Sequence, residues 1–287
     1  MPAPGWYADP WKQSPLRWWD GRQWTPHGAA DAGAPPPDGA ASGSLSALSA
    51  LSARERTAAP TLPRRFAWPA VGALAASIAA EAVVVLALRY ALDVPVIVAI
   101  TVVGVVLYGI LIEAARRVAL ALDDLSWREA FGFSVSVRDL GRGFLVFWVG
   151  AIASGVAVSV LGDNDNLRGD NTRVLTDYRH DVQAFLILGA FTVVVAPIVE
   201  ELFFRGLLLR AFNAALGEGK AVVAQAVLFA AVHFQPLAGS HNVEVLLVIG
   251  VTGLVFGWAA NHYKTLGPTM VAHAMRNAIA LAYALSR

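Results

Sequence analysis

From Phe66 onward the chain is a series of apolar runs of about twenty residues each, separated by short polar stretches. A helix needs a run of that length to cross the hydrocarbon core of a bilayer. Backbone amides that enter lipid must be bonded within the element, so a chain written this way has little choice but a helical bundle. About seven spans are expected, at approximately 67–88, 94–112, 144–161, 182–204, 221–236, 243–260 and 267–285. The fold class is therefore an all-α polytopic membrane protein. Charged residues make up only 15% of the chain and mean hydropathy is +0.55, which a water-exposed globule would not tolerate. Net charge is +1, so nothing supports a nucleic-acid partner, and without cysteine neither a disulfide nor a thiolate site can form.

Three regions follow. Residues 1–27 hold five of the nine tryptophans, Trp6, Trp11, Trp18, Trp19 and Trp24, with turn signals at Asp9-Pro10 and Asp20-Gly21 and a strand-forming Trp18-Trp19 between them. No long apolar run follows a basic start, so this is not a secretory signal. A small turn-rich module is expected, with tryptophans that form its core or dock on a protein or the membrane interface. Residues 28–65 are rich in Ala, Gly, Pro and Ser and read as a disordered linker. Residues 66–287 hold the spans. Arg54, Arg56, Arg64 and Arg65 precede the first span, and Arg116, Arg117, Arg128, Arg138 and Arg142 follow the second. The positive-inside rule then places the N-terminus in the cytoplasm of a cell bearing the protein in its inner membrane, with the loops of Arg210, Lys220 and Lys264 on the same side. The acidic loop with Asp163, Asp165, Asp170, Asp177 and Asp181 belongs outside.

Within the apolar region a few polar residues stand out, because ionisable groups at depth are costly and tend to serve a purpose. Glu201 and Arg205 are four apart and can pair along one helix face, while Glu200 points about 100° away, into the bundle. Pro197 upstream should kink that span. Phe229 and His233 share a face of the fifth span, and His273 and Asn277 share one of the seventh. Taken singly, these could be solvated charges at a helix end, a packing histidine and interhelical hydrogen-bond glue. Their depths argue for more. At 1.5 Å per residue, Glu200 lies ~15 Å from Arg210, His233 ~20 Å from Lys220 and His273 ~14 Å from Lys264, which is one level to within about one and a half turns.

Two resemblances add to this. PGWY-x-DP, R-W-WDG and WT, over about residues 4–26, resemble a short tryptophan-rich module of unknown function from the cytosolic ends of bacterial membrane proteins. EE-x-x-x-R, F-x-x-x-H and H-x-x-x-N, in that order across about residues 180–280, resemble the CPBP intramembrane proteases, the family of type II CAAX prenyl endopeptidases and bacterial Abi proteins. This second resemblance implies an intramembrane endopeptidase that hydrolyses a peptide bond of a membrane-associated protein or peptide. Glu200 would activate water with His233, while His273 and Asn277 would stabilise the oxyanion, and Glu201 and Arg205 would support the helix. In the metal-centred form of the resemblance, that of a metalloprotease, Glu200, His233 and His273 hold a divalent ion such as zinc, for which two His and one Glu are an acceptable open set. Neither HExxH, since Asn242 follows His241, nor the Gly-x-Gly-Asp of an aspartyl site, nor a rhomboid-like serine motif is present. Two other classes stand beside the protease: a non-catalytic scaffold or immunity protein that recruits a cytosolic partner through the tryptophan module, and a transporter, disfavoured by the lack of an inverted repeat. Gly253-x-x-x-Gly257 is expected to be a close helix contact. Glu81 is an intramembrane acid with no partner at helical spacing.

Overall fold

The computed structural model describes residues 3–31, 33–35, 37, 62–90, 94–122, 125–161, 176–235 and 242–286. Residues 38–61 of the linker expected at 28–65, and most of the acidic loop, with Asp163, Asp165 and Asp170, lie outside them. Two compact units are present, Met1–Ala58 and Ala59–Arg287.

The first unit holds three antiparallel strands in the order β1 (Gly5–Ala8), β2 (Leu16–Trp19) and β3 (Trp24–Ala29). Both expected turns are where the strands reverse. At the second, Asp20 Oδ1 accepts the N–H groups of Arg22 and Gln23, both at 2.7 Å, and Gly21 takes φ 97°. Trp6 opposes Trp18 across the β1–β2 pair, and their rings meet edge to face at 5.2 Å. Trp18 is buried and Trp11 is exposed.

The second unit is helical: α1 (Ala67–Tyr90), α2 (Val96–Leu120), the short α3 (Trp127–Phe131), α4 (Val137–Leu161), α5 (Val182–Leu216), α6 (Glu218–Ala231), α7 (Asn242–Tyr263) and α8 (Gly267–Ser286). Five of these are long and apolar enough to cross a membrane: 64–88, 97–120, 137–160, 182–216 and 242–263. The chain is therefore a multi-pass membrane protein in a lipid environment, with five such helices among the described residues where about seven spans were expected. The other two have plain reasons. α6 has 14 residues, about 21 Å at 1.5 Å each, against a hydrocarbon core of about 30 Å. α8 has 20 residues, but Thr269, His273, Arg276 and Asn277 dilute its apolar content.

The fourth expected span also differs, because it does not end at its charges. α5 runs on for 35 residues, and its hydrogen bonding widens twice into π turns, at Phe191–Val195 and Glu201–Leu208. Every residue of the second π turn is buried. Its Phe203, Phe204, Leu207 and Leu208 join Phe131 and Leu266 in the main apolar core.

α6 and α7 cross at Gly253 and Gly257. A Cβ at Gly253 would lie 3.1 Å from the Cα of Ala226, and one at Gly257 would meet the Gln225 amide at 2.5 Å. The small residues thus allow the contact that the sequence suggests, and Gln225 Nε2 crosses it to donate to the Gly253 carbonyl at 2.8 Å. At one end of the bundle the short connections are tied together. Arg210 donates to the Lys264 carbonyl (2.9 Å), the Leu266 N–H to that of Gly132 (2.9 Å), and Lys264 pairs with Glu218 (3.5 Å). Gly132 caps α3 with φ 67°, a conformation that L side chains rarely adopt. Arg210 of α5, the turn after α3 and the loop carrying Lys264 therefore share one end.

Candidate active site

Consecutive residues on a helix look in different directions, and α5 uses this at 200 and 201. Glu201 is completely buried. Its Oε1 accepts from Arg205 Nη1 and from His273 Nδ1, both at 2.9 Å. The four-residue pairing read from the sequence is present, but it is sealed in the core. Charges solvated at a helix end are ruled out. The Arg205 guanidinium lies 4.0 Å from the ring centre of Phe229 and 5.4 Å from that of Phe256. Aromatic faces thus meet the part of the cation that Glu201 leaves uncovered.

Glu200 turns the other way. Its Oε1 accepts from the Tyr108 hydroxyl of α2 at 2.7 Å. Its Oε2 is buried without a hydrogen-bond partner, and His273 Nε2 faces it at 3.8 Å. That separation is too long for a direct hydrogen bond. Tyr108 stacks on Phe191 with ring centres 5.2 Å apart and planes within 8°.

The histidines approach from α8 and from just beyond α6. His233 Nδ1 is 2.7 Å from the Phe229 carbonyl. A carbonyl can only accept, so Nδ1 carries the proton and Nε2 keeps its lone pair when the ring is neutral. His273 is oriented in the same manner by Glu201, which leaves its Nε2 toward Glu200. Both rings meet Phe229 edge to face, at 5.0 and 6.0 Å. His233, His273 and Asn277 line a common cavity of about 40 Å³, together with Thr252 and Arg276.

Asn277 reaches α5 as well. In a π turn the carbonyl of residue i is bonded by the N–H of i+5, so the partner of Thr192 would be Pro197, which has no N–H. Asn277 Nδ2 supplies the missing donor at 2.7 Å from the Thr192 oxygen. Pro197 thus widens the helix just before Glu200, where a kink was expected, and Asn277 holds the widened turn. A π turn beside polar residues is a recurrent feature of functional sites.

Residues 182–279, which begin with α5 and end in α8, match the family model described as type II CAAX prenyl endopeptidase Rce1-like. The bundle carries an Rce1-like domain. Residues 4–38 match the model of a protein family of unknown function, DUF2510, which covers the tryptophan-rich module. No curated protein and no solved structure matches the chain. The Rce1-like family is a protease, and so a hydrolase, family.

Two residues of this candidate site lie outside the three sequence motifs. Tyr108 is 92 residues from Glu200, and nothing in a single sequence joins them. Arg276 carried a signal of its own, an arginine within an expected span, overshadowed by the histidine and asparagine on either side. As for a metal, no group of three or more His, Asp or Glu side chains among the described residues is disposed to hold an ion. Glu200 and His273 approach each other at 3.8 Å, without a third such donor beside them among the described residues.

Proposed function

We propose that this protein is an intramembrane endopeptidase in which Glu200 activates water against a peptide bond of a membrane-associated protein or peptide. The observation that carries the reading is the asymmetry of Glu200: Tyr108 occupies one oxygen, and the other is unpartnered and opposite His273 Nε2. A water in that gap has an acceptor for its proton. As it attacks the carbonyl carbon, its proton passes to Glu200 and the carbonyl oxygen becomes an oxyanion. With Glu201 opposite Nδ1, a charged His273 ring has its second N–H at Nε2, on the side where that oxyanion develops. His233 Nε2 supplies a further base, and the proton taken from water leaves on the amine as the C–N bond breaks. The products are one carboxylate and one amine.

The basic end of the bundle faces the cytoplasm in this reading, by the positive-inside rule. Trp11, 57% exposed, gives the tryptophan module an aromatic surface for a cytosolic partner or the membrane interface.

The test uses the full chain purified in detergent and a set of quenched-fluorescence membrane peptides. Cleavage by the native protein and its loss in Glu200→Gln and His233→Ala are expected. Equal cleavage by all three would overturn the mechanism. Treatment with 1,10-phenanthroline should leave the rate unchanged; a loss restored by zinc would instead make Glu200, His233 and His273 ligands.

A further inference from the structure

Arg276 lies on α8, three residues after His273 and directly before Asn277, and its side chain lines the same small cavity as both histidines. Its Nη1 donates to Thr252 Oγ1 of α7 at 2.8 Å. The Thr252 hydroxyl is committed elsewhere as a donor, to the Val248 carbonyl at 2.8 Å, and so can only accept from the arginine. Ser154 of α4 is 3.4 Å from the same hydroxyl. Three helices thus fix one corner of the guanidinium. No carboxylate among the described residues pairs with it, whereas Arg205, the other arginine of this core, has Glu201 and two aromatic faces.

A half-buried guanidinium without a counter-charge is costly, and a planar fork whose other N–H groups have no partner among the described residues matches a carboxylate. The adjoining cavity, about 40 Å³, exceeds what a single water requires. We infer that Arg276 is a carboxylate-binding subsite beside the reaction centre. The inference rests on the protease reading, because the carboxylate it would take belongs to the peptide being cut. It would fix the distance between that charge and the bond presented to Glu200. The carboxylate can come from the free C-terminus of the peptide or from an acidic side chain within it.

Binding in the absence of turnover separates the subsite from the chemistry. The full chain carrying Glu200→Gln, in detergent micelles, is titrated with fluorescein-labelled Ala-Leu-Ala-Leu as the free acid, as the C-terminal amide, and as an amide with Glu replacing the third residue. The free acid should bind at least 10-fold more tightly than the amide, as expected for a charge-assisted hydrogen-bonded pair. Adding Arg276→Gln should abolish the preference, and Thr252→Val, which keeps the charge but frees its anchor, should reduce it. If the Glu-containing amide recovers the affinity, the source is an acidic side chain; if only the free acid does, it is the C-terminus. Equal binding of acid and both amides to the Arg276-containing chain overturns the subsite, whether or not the Arg276 variant folds. Discrimination by Glu200→Gln, with no cleavage by the native chain, would keep the subsite and remove the protease reading.

Discussion

Asp9 of the tryptophan module and Glu201 of the bundle are both buried beside an arginine, and they are satisfied in opposite ways. Asp9 of the tryptophan module accepts from Arg17 through Nε (3.0 Å) and Nη2 (3.2 Å), from the N–H groups of Trp11, Gln13 and Ser14, and from the Ser14 hydroxyl. Both its oxygens are used, largely by a backbone loop folded around them. Glu201 of the bundle accepts from Arg205 and His273 on a single oxygen. Helical N–H groups are already committed to the helix, so backbone amides cannot gather around a side chain there, and rings and imidazole take their place. The saturated carboxylate is a closed structural knot. The bundle's carboxylate directs a histidine through one oxygen and leaves the other without a hydrogen-bond partner, as its neighbour Glu200 does, but only Glu200 turns its open oxygen toward the His273 Nε2.

If the number of partners separates carboxylates that hold the fold from those that do chemistry, changing each should damage a different property. The largest effect is expected at Glu200. Glu200→Gln keeps the Tyr108 contact but removes the base, and kcat for peptide cleavage should fall about 10²–10⁴-fold, with the thermal midpoint in detergent within a degree or two of native. Glu201→Gln should do the reverse. It leaves Arg205 buried and uncompensated, and breaking such a pair costs about 3–5 kcal/mol, measurable as a lower unfolding midpoint in a denaturant titration. If Glu201→Gln instead lowered kcat with no loss of stability, the contrast drawn between the two neighbours would be wrong.

Tyr108 sharpens the contrast, since it acts only through Glu200. Tyr108→Phe retains the ring stacked on Phe191 and deletes one hydrogen bond to a carboxylate, worth about 1.5–3 kcal/mol. A roughly 10-fold loss should appear in kcat with KM unchanged, and in the Glu200→Gln background the same change should add little. A change confined to KM would place Tyr108 against the substrate and not behind the carboxylate.

What could be read without coordinates follows the range of each interaction. Long apolar runs are local, so α1, α2, α4, α5 and α7 were legible, as were the turns at Asp9 and Asp20 and the Glu201–Arg205 spacing. α6 was overextended because hydropathy continues through Val232 and Phe234 while the helix has already stopped. There His233 Nδ1 turns back onto the Phe229 carbonyl, one of the last-turn acceptors that a helix end leaves open. The π turns have no sequence period to announce them. Pro197 was a visible cause, but that its missing N–H would be replaced from Asn277 depends on how α8 packs on α5. Tyr108 meets Glu200 only through tertiary packing. Arg276 was legible in principle, as a charge in an expected span, and needed only to be asked for its partner.

The smallest expected effect tests the other half of the comparison. Arg17, hydrogen-bonded to Asp9, holds its carboxyl well below the usual carboxylate range; burial opposes this, and the N–H groups of Trp11, Ser14 and Gln13 reinforce it. The folded module therefore binds fewer protons at Asp9 than the unfolded chain, whose aspartate titrates near pH ~3.9. Stability from this group is fully present above that pH and is lost as pH falls toward the depressed folded value. In the full chain in micelles, the indole N–H resonances of Trp6 and Trp18 should lose dispersion below about pH 4, while far-UV helicity, which reports the bundle, is retained. Asp9→Asn should weaken the module at neutral pH and remove this acid dependence, because no proton is then linked to the loop. If the module of the Asp9→Asn chain still unfolded over the same acid range, another group would be responsible, and the saturated carboxylate would not be what holds the module together.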